Sequence, residues 1–208
     1  VNANEVSVSI SENFENGVQG WSNNTTTNSG ELTNFLGRFG GTGGTEGVSK
    51  TFDFGVGFAG KTVTINFDMY EIDSWDGEVF KVFVNGGVVS STQMWVDSHY
   101  GNHDGGTPLS GNVFSGWSDE IHHYTLQATV DVNGQVKLGF GSTLDQDIPD
   151  ESWGIDNLTI VANDFISEIN ETNGVEEIYT GQLVLITDLD TTDTHTFQLV
   201  TDSAAVVT

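Results

Sequence analysis

Three carboxylates, Asp73, Asp76 and Glu78, fall within the short stretch Asp73-Ser-Trp-Asp-Gly-Glu78, and a second acidic run spans Asp145, Asp147, Asp150 and Glu151. Carboxylates folded back on one another repel, and a hard cation relieves that repulsion. Calcium is the natural candidate, but it takes about six to eight oxygens, more than either segment supplies alone without water. Two such loops meeting at one end of a fold would complete a cage for Ca2+. The alternative is two independently solvated turns. A loop-held calcium with an open position accepts the terminal carboxylate of a peptide or two vicinal hydroxyls of a sugar. A sugar would also stack on an aromatic ring such as Trp75 or Trp95. The polar stretch from 95 to 120 adds Asp97, Tyr100 and Asp104, which with Trp75 and Trp95 make up the candidate ligand contacts.

Other chemistries fit less well. His99, His103, His122, His123 and His195 show no zinc spacing, and there is no cysteine to complete a tetrahedral site. His122 and His123 are expected at the start of a strand. The glycine-rich run Gly40 to Gly47 has no following helix and no repeat, and reads as a turn.

Composition narrows the partners. With 30 acidic against 5 basic residues and a formal charge of −25, the chain would repel nucleic-acid phosphates and anionic lipid. Neither nucleic acid nor direct membrane insertion is expected, and no apolar run approaches bilayer length. Five tryptophans within 11% aromatic residues argue for a packed globular chain, not an acidic tail. The absence of cysteine is read as an extracellular β-protein that uses metal where others use disulfides. Val1 is not an initiator methionine and the chain stops in a strand-like Ala204-Ala-Val-Val-Thr208, so a piece of a longer multidomain protein, monomeric within it, is expected.

The elements that must position the acidic loops alternate with period two. Val63, Ile65, Phe67 and Met69 share a face, and the segment Val79 to Val84 returns after the acidic loop to end at Asn85-Gly86. This predicts a hairpin with the carboxylates at its hinge. A second hairpin is predicted around Asn133-Gly134, with Leu126, Ala128, Val130 and Val132 inward and Val136, Leu138 and Phe140 coming back. The fold class is all-β. A boundary near 163 divides a domain at 1–162 from a linker and partial β module at 163–208.

The opening Glu12-Asn-Phe-Glu15-Asn-Gly17 with Gly20-Trp21, and the closing Trp153-Gly-Ile-Asp156-Asn157, resemble the frame of the antiparallel jelly-roll β-sandwich superfamily that includes lectin-like modules. In that superfamily the first and last strands are neighbours, which implies that Glu15 and Asp156 can share a structural calcium. Glu71-Ile-Asp73 is similar to the carboxylate strand of laminarinase-type glycoside hydrolases, but the chain breaks into Ser-Trp-Asp-Gly where the second carboxylate should follow, and no enzymatic activity is expected. Asp188, Asp190 and Asp193 are spaced like a calcium loop without its Gly and Glu, in a segment that resembles the cadherin-like repeats of bacterial surface adhesins. Together with the phrase Leu138 to Asn157, these features resemble the calcium-dependent ligand-binding modules of Gram-negative RTX adhesins, nearest to their peptide-binding domains. The resemblance implies a cell-surface adhesion module that grips short peptide termini through calcium, with a lectin and a structural stalk spacer as the alternatives.

Overall fold

A computed structural model describes residues 4–96, 104–109, 113–114, 117–166, 199–200 and 206–207. The strands are β1 (Asn4–Glu12), β2 (Thr26–Ser29), β3 (Leu32–Phe39), β4 (Val48–Asp53), β5 (Thr62–Asp73), β6 (Asp76–Val84) and β7 (Gly87–Trp95). They continue with β8 (Thr107–Pro108), β9 (Glu120–Thr129), β10 (Gln135–Ser142) and β11 (Glu151–Ile166), and a short pair, β12 (Leu199–Val200) and β13 (Val206–Val207), lies near the C-terminus. Among the described residues one sheet runs β2-β3-β11-β5-β9-β8 with β1 also on β11, and a facing sheet runs β4-β10-β6-β7. All pairings are antiparallel. The chain is an antiparallel jelly-roll β-sandwich.

Strand β11 organises the larger sheet. Along one edge its first half pairs with β3, Trp153 opposite Phe39, and its second half pairs with β1, from Leu158 opposite Glu12 to Ile166 opposite Asn4. The first and last strands of the sandwich are therefore neighbours. The expected boundary at 163 falls inside this ladder, and the sandwich continues to Ile166.

The core lies between the two sheets. Val63, Ile65, Phe67 and Met69 all turn inward, meeting Val82, Val136, Leu138 and Phe140 from the facing sheet. Trp153 is fully buried against Phe39, Phe80 and Phe140, and its indole N–H satisfies the Gly40 carbonyl and Ser142 hydroxyl at 3.1 Å each. Burying an indole of this size requires such an acceptor. The expected inward Val132 is instead 86% exposed, because the chain has left β9 and entered the turn by that point.

Both predicted hairpins are corrected. β5 and β6 lie in different sheets, as do β9 and β10, so the acidic loop and Asn133-Gly134 each carry the chain across the sandwich. The periodicity of the flanking strands is the same in a hairpin and in such an arch, so alternation alone does not separate them. The adjacent turn at Asn85-Gly86 does close a true hairpin, β6 to β7, with φ of 50° and 82° at its central residues, the left-handed pair that suits strand twist. The second acidic segment, 143–150, likewise crosses from β10 to β11 in the other sheet.

Gly134 and Gly86 separate two reasons for glycine. Both have φ near 80°, but a Cβ on Gly134 would stand 2.1 Å from the Gly55 carbonyl oxygen, whereas one on Gly86 would meet nothing within 4 Å. Gly86→Ala should cost about 1 kcal/mol from backbone strain alone, and Gly134→Ala about 2–4 kcal/mol because a backbone overlap is added. Urea denaturation of both variants checks this, and equal losses would contradict the packing account.

Candidate functional site

The two acidic crossings meet at the same end of the sandwich. Ser74 N–H donates to the Asp150 carbonyl at 3.1 Å, and its hydroxyl reaches the same residue. Asp73 stands opposite Glu151 in the β5–β11 ladder. As a result Asp76, Glu78 and Glu151 each bring a carboxylate oxygen within 4.8 Å of the others. Asp76 is exposed, Glu78 half-buried and Glu151 buried. Glu78 accepts the Asp76 N–H at 2.8 Å, which folds the loop over its own carboxylate.

Glu151 shows the strain in this group. One oxygen accepts from the Gln146 amide at 3.0 Å, while Oε2 is buried with no hydrogen-bond partner. Burial, followed by the neighbouring charges of Glu78, Asp145 and Asp76, pushes its pKa up to about 7. Burial also raises Glu78. This carboxyl group can be neutralised by a proton or by a cation; Lys50 and Lys137 pair with Glu12 and Glu46, Lys81 with the Gly44 carbonyl, and Arg38 with Ser152 and the Ile148 carbonyl.

The remaining predicted ligands separate. Asp73 has φ of 70°, which turns its carboxylate away to accept the Trp117 N–H at 3.2 Å. There it faces the charges of Asp119, Asp150 and Arg38. Asp145, Asp147 and Asp150 line an open depression with Gln146 and Pro149, and the Asp147 carbonyl holds the N–H groups of Asp150 and Glu151. Glu15 accepts both the N–H and the side-chain amide of Asn34, and buried Asp156 accepts the Tyr70 hydroxyl at 3.0 Å. Their charges are close enough that Glu15 raises Asp156, after burial and Asp68. Among the described residues these two do not join a third acidic or imidazole group in one cluster. Asp188, Asp190 and Asp193, and the contact candidates Asp97 and Tyr100, lie outside the described residues.

Of the aromatic candidates, Trp75 is not a platform. It is fully buried, with its indole N–H on the Ser152 carbonyl at 3.0 Å, and it fills the core beneath the loop. Trp95 is half-buried with its ring against Gly77, and its N–H donates to Asp104 at 2.7 Å. The sequence reading missed Trp117, which is 50% exposed beside Asp73. It also missed the carboxylate that holds this segment: Asp119, fully buried, accepts the N–H groups of Asp73, Val113 and Phe114. Phe114 in turn packs on Phe35 and beneath the Arg38 guanidinium at 4.6 Å, so part of the long loop covers the outer face of the larger sheet. An aspartate following Gly-Trp-Ser was visible in the sequence, but which backbone it would gather was not.

A further group forms beside the first. Glu71 and Glu120, cross-strand partners on β5 and β9, converge with His122 and Asp104 within 4.8 Å. Glu71 is fully buried, and its Oε2 faces His122 Nε2 at 2.7 Å. That burial, with Asp104 and Glu120 nearby, raises its pKa well above the usual range. Glu71 is sealed from solvent and Asp73 is turned aside, which is not the pair of accessible carboxyls flanking a sugar that a retaining glycosidase uses.

No family model matches the chain, and no curated protein matches it. Similar solved structures include a CBM27 module of Caldicellulosiruptor saccharolyticus crystallised with mannohexaose, at 15% identity and TM-score 0.46 over 73% of this chain and 96% of that one. A family 35 carbohydrate-binding module of Clostridium thermocellum gives 11% and 0.40 over 74% and 97%. Dimeric latent PorU of Porphyromonas gingivalis gives 10% and 0.43 over 77% of this chain, which spans only 13% of PorU. Among the described residues no helix is long and apolar enough to cross a membrane.

The raised Glu151 sets a pH dependence in chelator. An unfolded carboxyl releases its proton near 4.5 and the folded one near 7, so between these values the folded chain holds the extra proton and stability falls as pH rises. Thermal melts from pH 4 to 8 should show that decline, shallower in Glu151→Gln. Parallel curves for the two proteins would remove Glu151 as its source.

Proposed function

We propose that the chain is a calcium-dependent carbohydrate-binding module whose ligand docks at the acidic end of the sandwich. The observation that carries this reading is the convergence of Asp76, Glu78 and Glu151 from two separate crossings, with Asp76 on the solvent side and a buried Glu151 oxygen lacking a donor. A calcium ion there would take these carboxylates and complete its shell with water. Vicinal hydroxyls of a sugar displace such water without adding charge. Trp117, half-exposed and tied to Asp73, whose ladder partner is Glu151, offers an apolar face at the same end for a pyranose ring.

A neutral polyol also suits the electrostatics. A peptide terminus would bring a carboxylate to a chain of net charge −25. The basic side chains that could help are largely committed: Lys50 to Glu12, Lys137 to Glu46, Lys81 to the Gly44 carbonyl, and Arg38 to Ser152 and the Ile148 carbonyl. Attraction of a peptide terminus would therefore rest on the metal alone.

Glycan and peptide arrays probed in calcium test the proposal. Capture of glycans, lost in chelator and in Glu78→Gln, is the expected result. Trp117→Ala should weaken that capture at least about tenfold, the loss of roughly 1.4 kcal/mol of stacking, with little change in melting temperature. Capture of free peptide termini only, or glycan capture indifferent to both calcium and Trp117, would contradict it.

A further inference from the structure

We propose that Glu71, Asp104, Glu120 and His122 form a second metal site, buried and built for a first-row divalent cation such as zinc or manganese, which clasps the 104–109 segment onto the β5–β9 edge. It is separate in residues and in chemistry from the calcium position argued above.

The four side chains arrive from three places. Glu71 comes from the end of β5, Glu120 and His122 alternate on β9, and Asp104 belongs to the segment leading into β8. The register Glu71 opposite Glu120 and Met69 opposite His122 puts the strand residues on one face, turned toward the interior. Each offers a ligand atom within 4.8 Å of the others. His122 Nε2 is 2.7 Å from Glu71 Oε2 and 3.7 Å from Asp104 Oδ1. The shorter of these is a hydrogen-bond distance; donors on a cation with bonds of about 2.0–2.2 Å stand roughly 3.0–3.4 Å apart, so Glu71 and His122 need part by only a few tenths of an ångström to admit one.

The independent observation is Glu71 itself. It has no exposed surface, yet its Oε1 has no hydrogen-bond partner. A buried carboxylate oxygen in that condition costs free energy that the fold must recover elsewhere. A proton could neutralise Glu71 but would leave Asp104 and Glu120 crowded beside it. A divalent cation satisfies all the carboxylates together and takes His122 through the nitrogen that already faces them.

The backbone is fitted to this centre. A Cβ on Gly106 would stand 2.1 Å from Glu120 Oε2 and 2.7 Å from His122 Nε2, so a side chain there would displace the ligand atoms that the bare glycine lets the segment cover. Asp104 is anchored on its own side, accepting the N–H of Trp95 at 2.7 Å and of Gly106 at 3.1 Å. An imidazole in a compact, closed donor set favours zinc or manganese over calcium, which prefers a larger, all-oxygen shell. The ion would fix the entry to β8 and, through it, the excursion that carries Trp117.

The test uses the whole chain, stripped with chelator and dialysed, then titrated with Zn2+, Mn2+, Co2+ or Ca2+. Metal content, the visible spectrum of the cobalt form and melting temperature are recorded. One equivalent of a first-row ion should bind and raise the melting temperature by about 5 °C at saturation. Glu71→Gln and His122→Ala should each weaken binding by at least about tenfold. Should His122→Ala fail to fold, Asp104→Asn at the segment side of the cluster gives the same readout. Glu151→Gln should leave first-row metal binding unchanged while removing the calcium response, so failure here and failure of the calcium proposal are distinguishable. No first-row binding, binding indifferent to Glu71→Gln and to whichever of His122→Ala and Asp104→Asn folds, or an equal preference for calcium would overturn the inference.

Discussion

At one end of this sandwich the chain crosses between its sheets twice, through 73–78 and through 143–150, and both crossings are acidic. Backbone hydrogen bonds, not charge, hold them together: Ser74 to Asp150, and Thr143 to Val79. Behind them the core is completed by Trp75 and Trp153, whose indole N–H groups donate to the Ser152 carbonyl and the Ser142 hydroxyl on either side of the second crossing. Carboxylates are thus forced together by a hydrophobic and hydrogen-bonded frame that does not depend on them. Burial first, and then the neighbouring carboxylates, raise the pKa values of Glu78 and Glu151, as expected where acids are crowded without a cation.

The same frame explains why some acids are quiet. Asp119 is as buried as Glu71, but three backbone N–H groups point at it, so its charge is used to gather the end of the long loop. Asp156 has the Tyr70 hydroxyl and a neighbouring N–H. Glu71 and Glu151 each keep an oxygen with no donor. What distinguishes a structural carboxylate from a candidate ligand here is the supply of donors, since burial is similar.

Much of the fold was legible in the sequence. Strict alternation at 63, 65, 67 and 69 marks a half-buried strand, and the Asn-Gly at 85–86 marks the hairpin turn between β6 and β7 because few other pairs adopt two left-handed residues. The sheet to which a strand belongs was not legible, since an arch and a hairpin share the same pattern on either side of the turn. That one ambiguity accounts for reading 73–78 as a hinge. The acidic composition of the two loops marked Asp76, Glu78 and Glu151 as candidates to meet, whereas Glu71 reaching His122 depends on a strand register between residues 51 positions apart. Trp75 and Trp117 differ by burial alone, and composition around them gives no sign of which ring the core would claim.

The most direct test of the account is a crystal grown in calcium, with anomalous scattering to locate the ion. An ion held by Asp76, Glu78 and Glu151, with at least one coordination position open to solvent beside Trp117, is the expected result. Well-ordered carboxylates at these positions with no ion between them, at millimolar calcium and neutral pH, would contradict it.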